Sequence, residues 1–133
     1  RYWHAYYDRG LARAGQQNWK EALPDFEAAR KIHPTDVESW FQHGNACRNL
    51  GRWGEAVEDF DRCLKLDPRH ALSYASRGYC RVQLAQGCAP PVRRVLIRKA
   101  LMDIEEYLRL APDGEHAADF RTLREKCRSE LGP

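Results

Sequence analysis

At 133 residues, 43% apolar and 31% charged, the chain is long enough for one core and carries a well-solvated surface, which excludes wholesale disorder. A formal net charge of +3 is too small to argue for nucleic acid by itself. No apolar run nears the roughly 20 residues that a bilayer-spanning helix needs. The longest candidate, Val92 to Leu101, is broken by Arg93, Arg94, Arg98 and Lys99, so no membrane span is expected.

The chain opens on Arg1, Tyr2 and Trp3, with neither an initiator Met nor the basic-then-apolar pattern of a secretory leader. Its one Met is Met102, so it reads as a piece of a longer protein. The five cysteines (Cys47, Cys63, Cys80, Cys88 and Cys127) are odd in number and form no C-x-x-C pair, and the histidines add no zinc-finger spacing. Thiols in a reducing, intracellular compartment are the expectation, the cytoplasm first, with no metal and no cofactor.

Shifted by 34 residues, the sequence lies on itself. Gly10, Gly44 and Gly78 coincide, as do Tyr6, Trp40 and Tyr74, and Ala12, Ala46 and Cys80. Trp19 falls on Trp53, Ala22 on Ala56, Phe26 on Phe60 and Pro34 on Pro68. A fixed period of this length marks stacked units. Unit one, 3–36, reads as a helix carrying Tyr6 and Gly10, a break at Gly15-Gln16-Gln17-Asn18, and a helix from Trp19 that closes before Pro34. Asn18 with Glu21 has the capping-box spacing. Pro24 falls inside the second helix and predicts a kink.

Unit two, 37–70, repeats the plan. Thr35 and Glu38 offer a second capping box, Leu50-Gly51-Arg52 makes the break, and Pro68 ends the second helix. Unit three, 71–114, has a regular first helix from Ala71 to about Ala85. Ala100, Ile104, Tyr107 and Pro112 match the repeat only after ten residues are skipped, which places an insertion within 87–99. Pro90 and Pro91 suit a loop entering the first turn of a helix, so a long second helix of about 92–110 is predicted. Val92, Val95 and Leu96 would pack it against its neighbours. Last, Ala117, Phe120, Leu123, Cys127 and Leu131 recur at helical spacing within 115–131 and read as a seventh, capping helix. Small residues at the glycine positions and large ones at Tyr6, Trp19 and Phe26 fit close helix packing.

This pattern resembles the tetratricopeptide repeat family over residues 3–114. Unit two, E-S-W-F-Q-H-G-N-A-C…G-E-A-V-E-D-F…L-K-L-D-P, is similar to the family motif along its whole length. The resemblance implies an all-α fold: a superhelical array of helix-turn-helix repeats, an α-solenoid of seven helices, in one domain over 1–133. It departs from the family just before each glycine, where Arg9, His43 and Arg77 replace Leu-like residues and are expected to be half-buried with wet heads.

The resemblance also implies a function, the binding of a peptide or helix segment of another protein in a concave groove lined by the first helices. By position, that groove would present Tyr7 and Leu11 from unit one, Phe41, Gln42, Asn45 and Arg48 from unit two, and Tyr79 and Gln83 from unit three. Rigid aromatics there supply contact area, and the amides and Arg48 can bond a backbone or carboxylate. Some family members clamp the C-terminal carboxylate of heat-shock chaperones with Lys, Asn and Arg. Here Tyr7, Leu11, Gln42, Leu72 and Ser76 stand at those positions without a cation, so a chaperone tail is not the expected ligand.

A secondary basic site is open at Arg93, Arg94, Arg98 and Lys99 of the insertion. With Arg121, Arg124, Lys126 and Arg128 of the capping helix, it supports an alternative, binding to an anionic surface or nucleic acid, which the low net charge disfavours. Self-association through exposed aromatics is a third reading. No phosphate loop, nucleophile elbow or H-E-x-x-H motif occurs, so no catalytic residue is assigned.

Overall fold

The computed structural model describes residues 2–133. Among them are seven α-helices and no strand: α1 (Trp3–Gly15), α2 (Trp19–Ile32), α3 (Val37–Asn49), α4 (Trp53–Leu66), α5 (Ala71–Gln86), α6 (Pro90–Leu110) and α7 (Ala117–Leu131). The chain divides into two compact units, one ending at Pro68 with α1–α4, the other beginning at Arg69 with α5–α7. In the first, α2 packs on α1, α3 on α2 and α4 on α3. In the second, α6 packs on α5 and α7 on α6.

The repeated glycines explain the helix pairs. A Cβ on Gly10 would stand 2.7 Å from Phe26 Cε1, and one on Gly44 2.8 Å from Phe60 Cε1. In the second unit a Cβ on Gly78 would meet Asp103 Cβ at 3.1 Å and Ile104 Cγ1 at 3.2 Å. The second helix of each pair thus lays a large side chain on the bare backbone of the first. Phe26, Phe60 and Ile104 are fully buried there, which stabilises each pair by roughly 1.5–3 kcal/mol per side chain.

The breaks between paired helices repeat as well. Gln17 (φ 60) and Gly51 (φ 74) lie 34 residues apart and both take the left-handed conformation that reverses the chain. A glycine adopts it without strain and a glutamine does not. Pro24 lies on the exposed side of α2, which runs through it without interruption from Trp19 to Ile32.

Both expected capping boxes are replaced by other contacts. The Asn18 side chain caps no backbone amide and instead donates to Glu21 Oε2 at 2.8 Å. The N-cap of α3 is Asp36, one residue beyond Thr35, and its carboxylate accepts from the Ser39 amide at 3.1 Å and hydroxyl at 2.7 Å. A carboxylate is the stronger cap at a helix N-terminus because it also meets the positive end of the helix dipole.

The long sixth helix starts at Pro90, two residues earlier than its sequence signal, with proline in its first turn. Its inserted turns are anchored by Ile97, which is 1% exposed, and by Leu96 beside it. Val92 and Val95, expected to pack, are 55% and 48% exposed. The helix meets its neighbours one residue out of phase with the expected face, since Ile97 lines up with Ala100 and Ile104. The capping helix docks as its spacing predicts, with Ala117 and Cys127 buried and Phe120, Leu123 and Leu131 packed on the core of α5 and α6.

Replacing Gly44 with Leu forces a side chain into Phe60, and the expected loss is roughly 1–3 kcal/mol through overpacking. Gly15→Ala is the control, because a Cβ there meets nothing within 4 Å. Thermal melts of the two variants should differ accordingly. Equal melting temperatures would place the glycine contact elsewhere.

Candidate functional site

A buried carboxylate sits beside each glycine contact. Asp25, Asp59 and Asp103 are 2%, 4% and 3% exposed. Asp25 receives Arg9 through Nη2 at 2.7 Å and Arg13 through Nη1 at 2.8 Å. Asp103 receives Arg77 at 2.6 Å and Arg81 at 2.7 Å. These arginines lie 68 residues apart in matching pairs, one turn from one another on the first helix. Arg9 keeps an exposed head and Arg77 an enclosed one, and both form ion pairs that tie the first helix to its second. In the middle repeat the two arginines are replaced by His43 and Cys47. His43 Nδ1 lies 2.5 Å from Asp59 Oδ2, and Arg30, arriving from α2, bonds Asp59 Oδ1 at 2.8 Å. Burial at 5% makes His43 a core residue, not a half-exposed one. The signal for this set was present in the 34-residue register: an Asp on the second helix facing a basic residue next to each glycine.

The residues assigned to a partner face separate into two groups. Phe41 is 7% exposed and its ring packs on Phe60 at 5.7 Å between centroids, so its aromatic surface is taken up by the core. Tyr7 is half-buried, edge-on to Phe26 and to Trp3, with Gln42 near enough to bear on its phenol. Burial, then Glu38 and Asp36, push the Tyr7 phenol above its usual range, so it stays protonated and can donate. Leu11 is 38% exposed. Arg48 is half-buried and donates through Nε and Nη2 to Asn45 Oδ1 at 3.3 and 3.1 Å, which aligns its fork along the helix. The first unit thus brings Tyr7 of α1 against Gln42 of α3. In the second unit Tyr79 and Gln83 are half-buried on α5.

The basic positions divide in the same way. Arg93 is paired with Glu130 of the capping helix, so it is a structural tether. Arg94, Arg98 and Lys99 are exposed and enter no ion pair among the described residues. On the capping helix, Arg124 pairs with Glu125, Arg128 pairs with Glu105 and Glu125, and Arg121 donates to the Pro112 carbonyl. Only Lys126 of the four cations expected there is outside such contacts. No helix is long and apolar enough to cross a membrane among the described residues.

Residues 7–71 match the tetratricopeptide repeat family model. Over those residues, just under half of the chain, the sequence is of the tetratricopeptide repeat type. Its TPR repeats number three and are closed by a capping helix, as the seven helices show. No significant match to a curated protein sequence was found. Among solved structures, the first TPR of Spaghetti (RPAP3) bound to the HSP90 peptide SRMEEVD is similar at TM-score 0.82 and 19% identity, covering 97% of this chain and 92% of that one. The TPR2B domain of yeast Sti1, in a pHsp70 complex, is similar at TM-score 0.81 and 15% identity, covering 96% and 97%. PcrH in complex with the chaperone binding region of PopD is similar at TM-score 0.82 and 16% identity, covering 97% and 92%. These TPR neighbours are solved with segments of other proteins. Two of them carry heat-shock chaperone peptides, so the comparisons do not support ruling out a chaperone tail on the strength of Tyr7, Leu11, Gln42, Leu72 and Ser76.

Four of the cysteines are buried and Cys88 is half-buried. Burial, followed by Asp59 and Glu55, pushes the Cys47 thiol up to about 12. Burial and Glu130 raise that of Cys127. Thiolates, not thiols, react with alkylating reagents. In the native protein at pH 8, Cys88 should be modified first and Cys47 and Cys127 only on unfolding. Denatured without reductant, the chain should take up five groups by intact mass. A smaller number would mean a disulfide and an oxidising compartment.

The ion pairs give a second expectation. Asp103→Ala strands Arg77 and Arg81, which are only 17% and 16% exposed, and should cost about 3–5 kcal/mol. Asp25→Ala strands Arg9 and Arg13, at 55% and 34% exposure, which can turn to water, so its cost should be clearly smaller. Urea unfolding of both variants reads the difference; equal losses would show that the carboxylate's own burial dominates.

Proposed function

We propose that this TPR domain is a protein-interaction module, an adaptor or scaffold element that takes a peptide or helix segment of a partner on its first-helix faces. The observation that supports this most is the Asn45–Arg48 fork on α3, in the same unit as the exposed Leu11 and the half-buried Tyr7 and Gln42. Together they offer an aromatic ring, an aliphatic contact, two amides and a guanidinium, a combination suited to a peptide backbone with an acidic side chain. In the second unit Tyr79, in register with Leu11 and Asn45, and Gln83 one turn on are the candidate contacts. Phe41 supports the surface from beneath by packing on Phe60 and is not itself a contact. The absence of a catalytic assignment follows from the motifs above and from the general use of this fold in binding.

The chaperone-tail question has a direct test in the peptide SRMEEVD. We expect it to bind weakly or not at all, because Tyr7, Leu11, Gln42, Leu72 and Ser76 leave its terminal carboxylates without a cation. Fluorescence anisotropy at fixed salt measures it, and micromolar affinity would reverse that reading.

A second surface is favoured by one observation. On α6, Val92, Val95 and Met102 are 55%, 48% and 70% exposed beside the exposed Arg94, Arg98 and Lys99, a face suited to an acidic amphipathic segment or an anionic surface. A partner isolated by affinity capture and mapped to a peptide separates the two. Arg48→Ala should weaken its binding by about 1–2 kcal/mol or more without unfolding the domain. The double change Arg94→Ala and Arg98→Ala should leave it within a few tenths. The reverse result, with steep salt dependence, would move the site to α6.

A further inference from the structure

We infer that the middle repeat carries a binding site for a divalent cation of the zinc class, built from His43, Cys47 and Asp59 with Glu55 at its outer edge. His43 and Cys47 are four residues apart on α3, and Glu55 and Asp59 are four apart on α4, so each helix turns two donors toward the other. The Cys47 sulfur lies 3.7 Å from His43 Nδ1, 3.8 Å from Asp59 Oδ2 and 3.9 Å from Glu55 Oε2. One ligand atom from each of His43, Cys47 and Asp59 falls within 4.8 Å of the other two.

Bonds of 2.0–2.3 Å in a tetrahedral zinc site place neighbouring ligand atoms about 3.3–3.8 Å apart. Both sulfur distances within the buried triad are therefore already close to those of a loaded site. The contact that must open is His43 Nδ1 to Asp59 Oδ2, by roughly 1 Å, as the cation takes the place of the hydrogen between them. Sulfur, imidazole and carboxylate together suit zinc and its neighbours, whereas calcium and magnesium seek oxygen alone.

The other repeats supply a separate argument. There the buried carboxylate is met by two guanidinium groups from the first helix, Arg9 and Arg13 or Arg77 and Arg81. In the middle repeat both positions hold residue types that bind metals, and Asp59 keeps one guanidinium, Arg30, on its other oxygen. A dication between Cys47, His43 and Asp59 restores the second positive partner that a buried carboxylate requires. Arg30 then holds Asp59 in place through Oδ1, the outer-shell role that orients a ligating carboxylate. With Cys47 as thiolate, the sulfur and the two carboxylates balance the dication and Arg30. Glu55 is exposed and stands next to the buried sulfur, which gives an ion a route in from the surface. Binding releases the Cys47 proton to solvent, since a coordinating thiol is deprotonated outright.

The test uses the whole chain, reduced, with cobalt(II) and then zinc(II) chloride as the only additions. We expect one equivalent of cobalt to give a thiolate-to-metal charge-transfer band and the visible bands of a tetrahedral site, both abolished by zinc. Cys47→Ala and His43→Gln should weaken cobalt binding by more than about tenfold, the scale of even outer-shell losses, while Cys88→Ser leaves it unchanged. In the unmodified protein, zinc should slow alkylation of Cys47 relative to Cys63 under mild denaturant, by peptide mass mapping, a readout that does not depend on any variant folding. No tetrahedral spectrum at millimolar cobalt would overturn the proposal. So would a spectrum that survives Cys47→Ala, or no protection of Cys47 by zinc.

Discussion

At Gly10, Gly44 and Gly78 the first helix of a repeat comes so close to the second that even a methyl group would overlap a phenyl ring, or press on Asp103 and Ile104. That distance governs the rest of the molecule. It lets Phe26, Phe60 and Ile104 reach full burial. It also brings a carboxylate of the second helix within bonding range of the residue just before the glycine and the residue three after it. The apolar contact and the ion pair are thus two consequences of one backbone approach, and neither could form if the helices stood a side chain's width further apart. The pairs add direction to the packing. A phenyl ring on glycine tolerates some sliding, while a carboxylate gripped by two guanidinium groups at 2.6–2.8 Å tolerates little.

The helices and their pairing were legible in the sequence because glycine, aromatic and proline positions recur 34 residues apart through the first two units, and the glycine and the first-helix aromatic recur once more in the third. The capping helix was legible because its apolar residues keep one helical face. What was misread has a common cause. The buried partners of Arg9 and Arg77, Asp25 and Asp103, carry no mark of their own in the sequence, since a charged residue is usually solvated and such a pair is visible only when both partners are tracked through the repeat. The insertion hid the third partner by displacing Asp103 ten residues from its register. Phe41 was assigned to a partner face by analogy of position, but side-chain direction on α3 carries its ring to Phe60. The phase of the inserted turns on α6 was lost for a similar reason: Val92, Val95, Leu96 and Ile97 are all apolar, and only packing decides which two are buried.

The middle repeat differs from its neighbours in a way that bears on function. Its first helix carries Gln42, Asn45 and Arg48 on one face by their spacing, and turns His43 and Cys47 to Asp59 of α4. One helix therefore carries both the proposed partner contacts and the donor cluster, on faces about a quarter to a half turn apart. Trp40 marks the same helix from another side, donating to the Pro34 carbonyl at 2.8 Å and lying under Arg30 at 4.5 Å. Arg30 is thereby shared between an indole face and the Asp59 carboxylate, which fixes α3 between α2 and α4.

That sharing supplies a physical reason why α3 should be the exacting element of the first unit. α3 must keep register with α2, through Arg30 over Trp40, and with α4, through His43 on Asp59. A bound segment that draws on Arg48 and Asn45 pulls on a helix whose opposite side is held by Asp59, so its rotation about its own axis is resisted at the moment of binding. Preorganisation of this kind lowers the entropy cost of association without adding a contact. Whatever strengthens the His43–Cys47–Asp59 cluster, a cation included, would then act on the proposed partner face through the rigidity of one helix and not through a movement of the fold.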